Sequence, residues 1–173
     1  MLERVLMAGS GGQGIITIGK LFASTCLDTV PHITFFPAYG AEVRGGTSNC
    51  QVILSSEEIP SPVSEVYDSM LIMNQASLDR FFGRASDSSL LIVNTSMCRP
   101  PDHPNVAGVD ATQAAHSLGN AKAANFIMLG KYIGSRHILK PDLLDDGIRK
   151  LFAGKGRDLV ELNIKAFHKG LET

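Results

Sequence analysis

The residues Gly9-Ser-Gly-Gly-Gln-Gly14 follow a short apolar run and open a helical pattern. This is G-x-G-x-x-G in the strand–turn–helix setting where it cradles phosphate. The first N–H groups of a helix lack intrahelical partners, and the helix dipole favours an anion beside them. Glycine lets that anion approach the backbone. Gly9, Gly11, Gly12, Gln13 and Gly14 are therefore candidate anion- or cofactor-binding residues. A second stretch, Pro37–Thr47, holds three glycines, a proline, a tyrosine and an acid and base two apart. In an extended loop Glu42 and Arg44 point to the same side. They can pair with each other, or Arg44 can clamp a carboxylate or phosphate bidentately. Tyr39 has an apolar ring with a polar tip, a type enriched at interfaces. Ordinary connections run about 4–6 residues without this glycine density. Tyr39, Gly40, Glu42, Arg44, Gly45, Gly46 and Thr47 are read as a contact surface, with Arg44 also a candidate phosphate ligand.

Other chemistries are missing from the pattern. No Ser/His/Asp set or pair of carboxylates forms a nucleophile–base arrangement, so no catalytic residue is assigned to this chain. Cys26, Cys50 and Cys98 are far apart, without a C-x-x-C pair, and the five histidines lack metal-ligand spacing. No metal and no resident cofactor are expected on the chain. A dinucleotide site usually adds an acid at the end of the second strand for the ribose. No Asp or Glu occurs between Thr29 and Ala41, and Phe36, Pro37 and Ala38 stand where it would fall. Three readings of the first loop stay open: an anion site, a plain tight turn, and a stand-alone Rossmann-like NAD(P)- or nucleotide-binding protein.

The elements that must position these loops are legible in outline. Val5–Ala8 reads as a buried strand. Ile15, Ile18, Leu21 or Phe22, and Cys26 mark one face of a helix. His32–Phe36 reads as a strand. From Thr47 to Leu54 residues alternate, with Cys50, Val52 and Leu54 on one face and Asn49, Gln51 and Ile53 on a wetter one. Met70–Met73 and Leu90–Val93 are further strands, and Val106–Val109 is a short one. Gln75–Arg84 reads as a helix with Asn74 as N-cap. Asp110 with Gln113 resembles a capping box. Helices are predicted over Ala121–Ile133, from Pro141, and from Leu159 to a stop near Gly170. Strands alternating with helices predict an α/β fold: a single three-layer α/β/α domain over residues 1–173, with a mostly parallel sheet and a helical C-terminal third.

The totals agree with a globular domain. The 173 residues are 44% hydrophobic and 19% charged, with a net charge of −1. That balance argues against a nucleic-acid grip. No apolar run nears the ~20 residues of a membrane span. Met1–Ala8 lacks the length and order of a signal peptide, so the default location is cytoplasmic.

Three motifs in order carry a family resemblance: Gly9–Gly14, then Phe36-Pro-Ala-Tyr-Gly-Ala-Glu-Val-Arg-Gly-Gly-Thr-Ser-Asn-Cys50, then Met73-Asn-Gln-Ala-Ser-Leu-Asp79. The tail Ala123-Ala-Asn-Phe-Ile-Met-Leu-Gly130 adds to them. The chain resembles the γ subunit of 2-oxoacid:ferredoxin (acceptor) oxidoreductases, most of all the 2-oxoglutarate and 2-oxoisovalerate types. The resemblance implies a non-catalytic subunit of a multi-chain enzyme. Its α and β subunits hold thiamine diphosphate, with magnesium, and the 2-oxoacid. A ferredoxin-like δ subunit, or inserted iron–sulfur clusters, carries the electrons. The implied reaction converts a 2-oxoacid and coenzyme A to acyl-CoA and carbon dioxide. In that setting the two glycine loops are expected to dock on the α and β subunits and to help seat coenzyme A.

Overall fold

The computed structural model describes residues 1–39 and 47–173, and of Tyr39 only the backbone. In chain order the elements are β1 (Leu2–Ser10), α1 (Ile15–Thr25), β2 (His32–Tyr39), β3 (Thr47–Ser55), β4 (Tyr67–Ile72), α2 (Gln75–Phe81), β5 (Ala85–Asn94), β6 (Val106–Val109), α3 (Ala111–Ser117), α4 (Ala124–Arg136), α5 (Pro141–Leu151) and α6 (Arg157–Leu171). Short 3-10 turns at Phe82–Arg84 and Ala121–Ala123 follow α2 and precede α4.

The strands form one sheet in the order β2-β3-β1-β4-β5-β6. Strands β1, β4, β5 and β6 are parallel neighbours, whereas β3 runs against both β1 and β2. The sheet is thus mostly parallel, with one reversed strand. Both faces carry helices, which gives the expected three layers. On one face Val5, Met7, Val52, Leu54, Leu71 and Ile92 pack against α1 and the C-terminal helices. On the other, Leu6, Ala8, Met70, Ile72, Leu91 and Val93 pack against Leu78 and Phe81 of α2.

Local details of β2 and β3 depart from the sequence reading. Strand β2 does not end at Phe36 but continues through Pro37 and Ala38 to Tyr39, paired with Ser48–Cys50. Pro37 is tolerated because β2 is an edge strand, where a missing N–H breaks no ladder on its outer side. Strands β2 and β3 therefore stand on either side of residues 40–46, and Thr47 already belongs to β3. Next, the supposedly wet face of β3 is buried: Asn49, Gln51 and Ile53 are 7%, 7% and 4% exposed. The following connection covers it, and the Ser64 N–H donates to Gln51 Oε1 at 3.2 Å. Helix α6 ends at Leu171, one residue past Gly170, near the stop that the sequence marks. A Cβ on Gly170 would lie 2.0 Å from the Ile127 carbonyl oxygen, and one on Gly130 2.0 Å from that of Phe167. These two glycines let α4 and α6 cross backbone to backbone.

At the edge where β1 and β4 begin, a polar cluster fastens α4 to the sheet. The buried Glu3 carboxylate accepts from Ser69 Oγ at 2.7 Å and Tyr132 OH at 3.3 Å, and Arg136 Nε lies 3.4 Å away. Burial pushes the Glu3 carboxyl above its usual range, against the opposing pull of Ser69 and Arg136. Beside it, Arg4 grips Asp68 through Nε at 2.8 Å and Nη2 at 3.0 Å. Burial alone would raise the Asp68 pKa; the Arg4 contacts outweigh it and hold the carboxyl below its ordinary value.

Candidate functional site

The C-terminal ends of β1, β4, β5 and β6 lie along one edge of the sheet, where ligands of open α/β folds bind. Strand β1 leads into α1 on one face, and its neighbour β4 leads into α2 on the other. The gap between them is a topological switch point. The first glycine loop stands at this gap.

The loop is shaped by its glycines in specific ways. Gly12 and Gly14 have φ of 90° and 70°, in the left-handed region. Gly14 is the N-cap of α1 and offers no side chain to its first turn, which also lacks an acid. Among the described residues no hydrogen bond reaches the backbone N–H groups of Ile15, Ile16 and Thr17. Gly11 and Gly12 are exposed, and a Cβ on either would meet nothing within 4 Å. The loop therefore presents an open crest beside an uncompensated helix N-terminus.

Gln13 is placed differently from its neighbours. Its side chain folds back beneath the crest, where Oε1 accepts from Ser10 N–H at 2.7 Å. The same oxygen accepts from Asn74 Nδ2 at 3.1 Å, and Asn74 Nδ2 also donates to Ser10 Oγ at 2.6 Å. This packing needs Gly9, because a Cβ there would sit 2.6 Å from Gln13 Oε1. On the far side, Asn125 Nδ2 donates to the Gly14 carbonyl at 3.1 Å. At the next strand end, the buried Asn94 donates to Met73 O at 3.2 Å and to Thr112 Oγ1 at 2.9 Å. Its Oδ1 accepts from the first N–H groups of α3. Ser96 Oγ accepts from the same turn, so α3 is capped from β5 and not by the side chain of Asp110. For α2 the expected cap is in place: Asn74 Oδ1 accepts from Ser77 N–H at 2.9 Å.

The geometry is poorly suited to a dinucleotide. In the dinucleotide fold the strand after the first helix lies parallel beside β1. Here the reversed β3 occupies that position and β2 stands one strand further out. The missing ribose acid has a topological cause: its strand is not next to the site.

Beside the loop lies a hollow of about 190 Å³ lined by Gly12, Gln13, Met73, Met97, Thr112 and Lys122, among others. Two thioethers give it an apolar lining, and Lys122 supplies a cation. A larger hollow of about 420 Å³ lies at the opposite edge beneath residues 55–64, and no loop residue lines it. Among the described residues no group of three or more His, Cys, Asp or Glu stands together to hold a metal. Burial pushes the thiols of Cys26 and Cys50 up to about 12 and that of Cys98 up to about 11, so none supplies a thiolate near neutrality.

Of the second loop, Gly40, Glu42, Arg44, Gly45 and Gly46 lie outside the described residues, as does the side chain of Tyr39. Its two ends are described. The Tyr39 backbone pairs with Ser48, and Thr47 pairs with Ser10 at the base of the first loop. The described ends of the second stretch thus lie at the same edge as the first loop. Arg80 of α2 donates to Thr47 Oγ1 and lies over the Phe81 ring, 5.3 Å from its centroid. Sequence reading passed over Arg80, Lys122 and Asn125, which reach the site from later elements. The one available signal was the polar Asn125 within an otherwise apolar helical face.

Comparison with known proteins agrees with this architecture. Ketoisovalerate oxidoreductase subunit VorA of Methanothermobacter marburgensis is 34% identical over 172 residues, which is 98% of this chain and 36% of that protein. This chain spans about a third of the length of the first curated relatives it matches. The keto/oxoacid ferredoxin oxidoreductase γ subunit from Geobacter sulfurreducens superposes with a TM-score of 0.83 at 23% identity, covering 99% of this chain and 95% of that one. The 2-oxoglutarate:ferredoxin oxidoreductase from Magnetococcus marinus, solved with 2-oxoglutarate, coenzyme A and succinyl-CoA bound, gives 0.88 at 23% identity, covering 98% of this chain and 30% of that one. At that identity the two structures speak for the fold alone. The sequence pattern of one family matches residues 4–173, and the chain belongs to it: the pyruvate ferredoxin/flavodoxin oxidoreductase family.

Proposed function

We propose that this chain is a single-domain γ-type subunit of a thiamine-diphosphate-dependent 2-oxoacid:ferredoxin oxidoreductase. The assembled enzyme converts a 2-oxoacid and coenzyme A to acyl-CoA and carbon dioxide and passes two electrons to an iron–sulfur acceptor. Thiamine diphosphate, its magnesium ion and the clusters belong to α, β and ferredoxin-like δ subunits, in the cytoplasm. This chain supplies no group to the bond-breaking steps. Its part is to dock on the α and β subunits and to receive the phosphate end of coenzyme A.

The observation that carries this reading is the open first turn of α1 beside Gly11 and Gly12. Three N–H groups at the positive end of the helix dipole have no hydrogen-bond partner among the described residues, and Gly14 gives them no side-chain cap. The adjoining hollow, with Met73 and Met97 in its lining and Lys122 beside them, suits a ligand that joins an apolar arm to anionic groups. Arg44, on sequence grounds, is proposed as a second phosphate contact, and Tyr39, Gly40, Glu42, Gly45, Gly46 and Thr47 as docking surface.

The substitution Gly11→Asp tests the reading. Gly11 has open space around it and no left-handed φ, so the side chain fits without distortion. It sets a carboxylate where the anion would bind. The KM for coenzyme A in the assembled enzyme is expected to rise at least tenfold, and the KM for the 2-oxoacid to stay within about twofold. Unchanged coenzyme A kinetics would refute the phosphate role.

A further inference from the structure

We infer that Asn74 is the positioning residue of the coenzyme A end of this site, acting through α2 on the glycine loop. The inference rests on the coenzyme A reading above. Asn74 sits in extended backbone at the head of α2 and is 8% exposed. Its amide has two ends with different tasks. Oδ1 accepts from Ser77 N–H, which fixes which way the amide faces. Nδ2 is thereby turned toward the loop, where its hydrogens reach Ser10 Oγ and Gln13 Oε1. Gln13 Oε1 accepts at once from Asn74 and from Ser10 N–H. The Gln13 side chain is pinned inward, so the crest above it consists of Gly11 and Gly12 alone. Without Nδ2 nothing from α2 holds that side chain down. Its hold then rests on the Ser10 N–H alone, and leaving that contact lets it swing over the crest and compete for the N–H groups of α1.

The far end of α2 bears on the same edge. Arg80 donates to Thr47, and Thr47 pairs in register with Ser10. One short helix thus contacts the base of the first glycine loop and the strand that follows the second.

The isosteric change Asn74→Asp separates positioning from capping. A carboxylate still accepts from Ser77 N–H, and it is favoured at a helix N-terminus. It has no donor, and it sets negative charge against Gln13 Oε1 and Ser10 Oγ. In the assembled enzyme the KM for coenzyme A is expected to rise about tenfold, with the larger share of the effect in KM and the smaller in kcat. Hydrogen exchange of the Ser10 and Gln13 amides should quicken at least tenfold while the thermal midpoint holds within a few degrees. The same kinetics on Gly11→Asp separate the possible failures. A rise in both variants supports the inference. A rise in Gly11→Asp with unchanged Asn74→Asp kinetics and exchange overturns the role of Asn74 and leaves the coenzyme A reading standing. No change in either overturns the coenzyme A reading, and this inference with it.

Discussion

Gly14→Ala puts the loop geometry to its sharpest test. Gly14 has φ of 70° and ψ of 24°, and an ordinary L-residue pays about 1–2 kcal/mol to hold that conformation. The new Cβ would also stand 2.4 Å from Asn125 Nδ2, so the buried Asn125 amide must give way. Its hydrogen bond to the Gly14 carbonyl is then lost, and an unsatisfied buried amide costs about 1–3 kcal/mol. The sum is about 2–5 kcal/mol. For a chain of this length each kcal/mol lowers the melting midpoint by about 2–4 °C. Differential scanning calorimetry should therefore show a fall of roughly 4–20 °C. Gly11→Ala is the control, because nothing lies within 4 Å of its Cβ and it should change stability by no more than about 0.5 kcal/mol. In an Asn125→Ala background the clash disappears and Gly14→Ala should cost only the left-handed term. The cycle should then report a coupling of about 1–3 kcal/mol. Equal midpoints for the Gly14 and Gly11 variants, or a coupling near zero, would refute the argument.

Two more predictions concern the frame behind the site. The Glu3 pKa is raised by burial, so between its unfolded value near 4.5 and its higher folded value the native state binds the extra proton. Its contribution is fully present below that window and is lost as pH rises through it. Urea titrations should show wild-type stability falling relative to Glu3→Gln as pH rises above about 4.5, and parallel curves would rule out burial of the carboxylate as the dominant influence. Gly130→Ala forces a methyl against the Phe167 carbonyl; it should cost about 1–3 kcal/mol or more, against a near-neutral Gly83→Ala, whose position is open. Chemical denaturation of both variants checks it.

The sequence made the frame readable wherever one local signal sufficed. Alternation and apolar runs placed the strand cores, Asn74 announced the head of α2, and Pro141 announced that of α5. Signals that depend on partners distant in sequence were misread. Pro37 looked like a loop residue because nothing local says that β2 lies at the sheet edge. Asn49 and Gln51 looked wet because their cover comes from the connection around Ser64. Gly170 marked the end of α6 near where it falls, but its close contact with the backbone of α4 has no local signal. At the site, the glycine pattern found the loop. It could not reveal that Gln13 turns inward, since that depends on Asn74, sixty-one residues away.

The choice of residues at this edge bears on what the edge is for. A side-chain cap of Ser, Thr, Asp or Asn would be worth a few tenths of a kcal/mol over glycine. At α1 the chain has Gly14 instead, and no acid in the first turn. The groups that hold the loop are amides: Asn74 and Gln13 beneath it, Asn125 behind it. Neutral amides can fix a loop from three sides without placing a charge beside it. At Gln13 a carboxylate would accept from the Ser10 N–H as well as the amide does, whereas at Asn74 and Asn125 it would lose the Nδ2 donor that holds the loop. In all three positions it would oppose the field that α1 projects through Gly11 and Gly12. The loop is held by three residues none of which carries a negative charge. The proposed reception of an anion accounts for the neutral choice at Gln13 and for the missing acid in the first turn of α1.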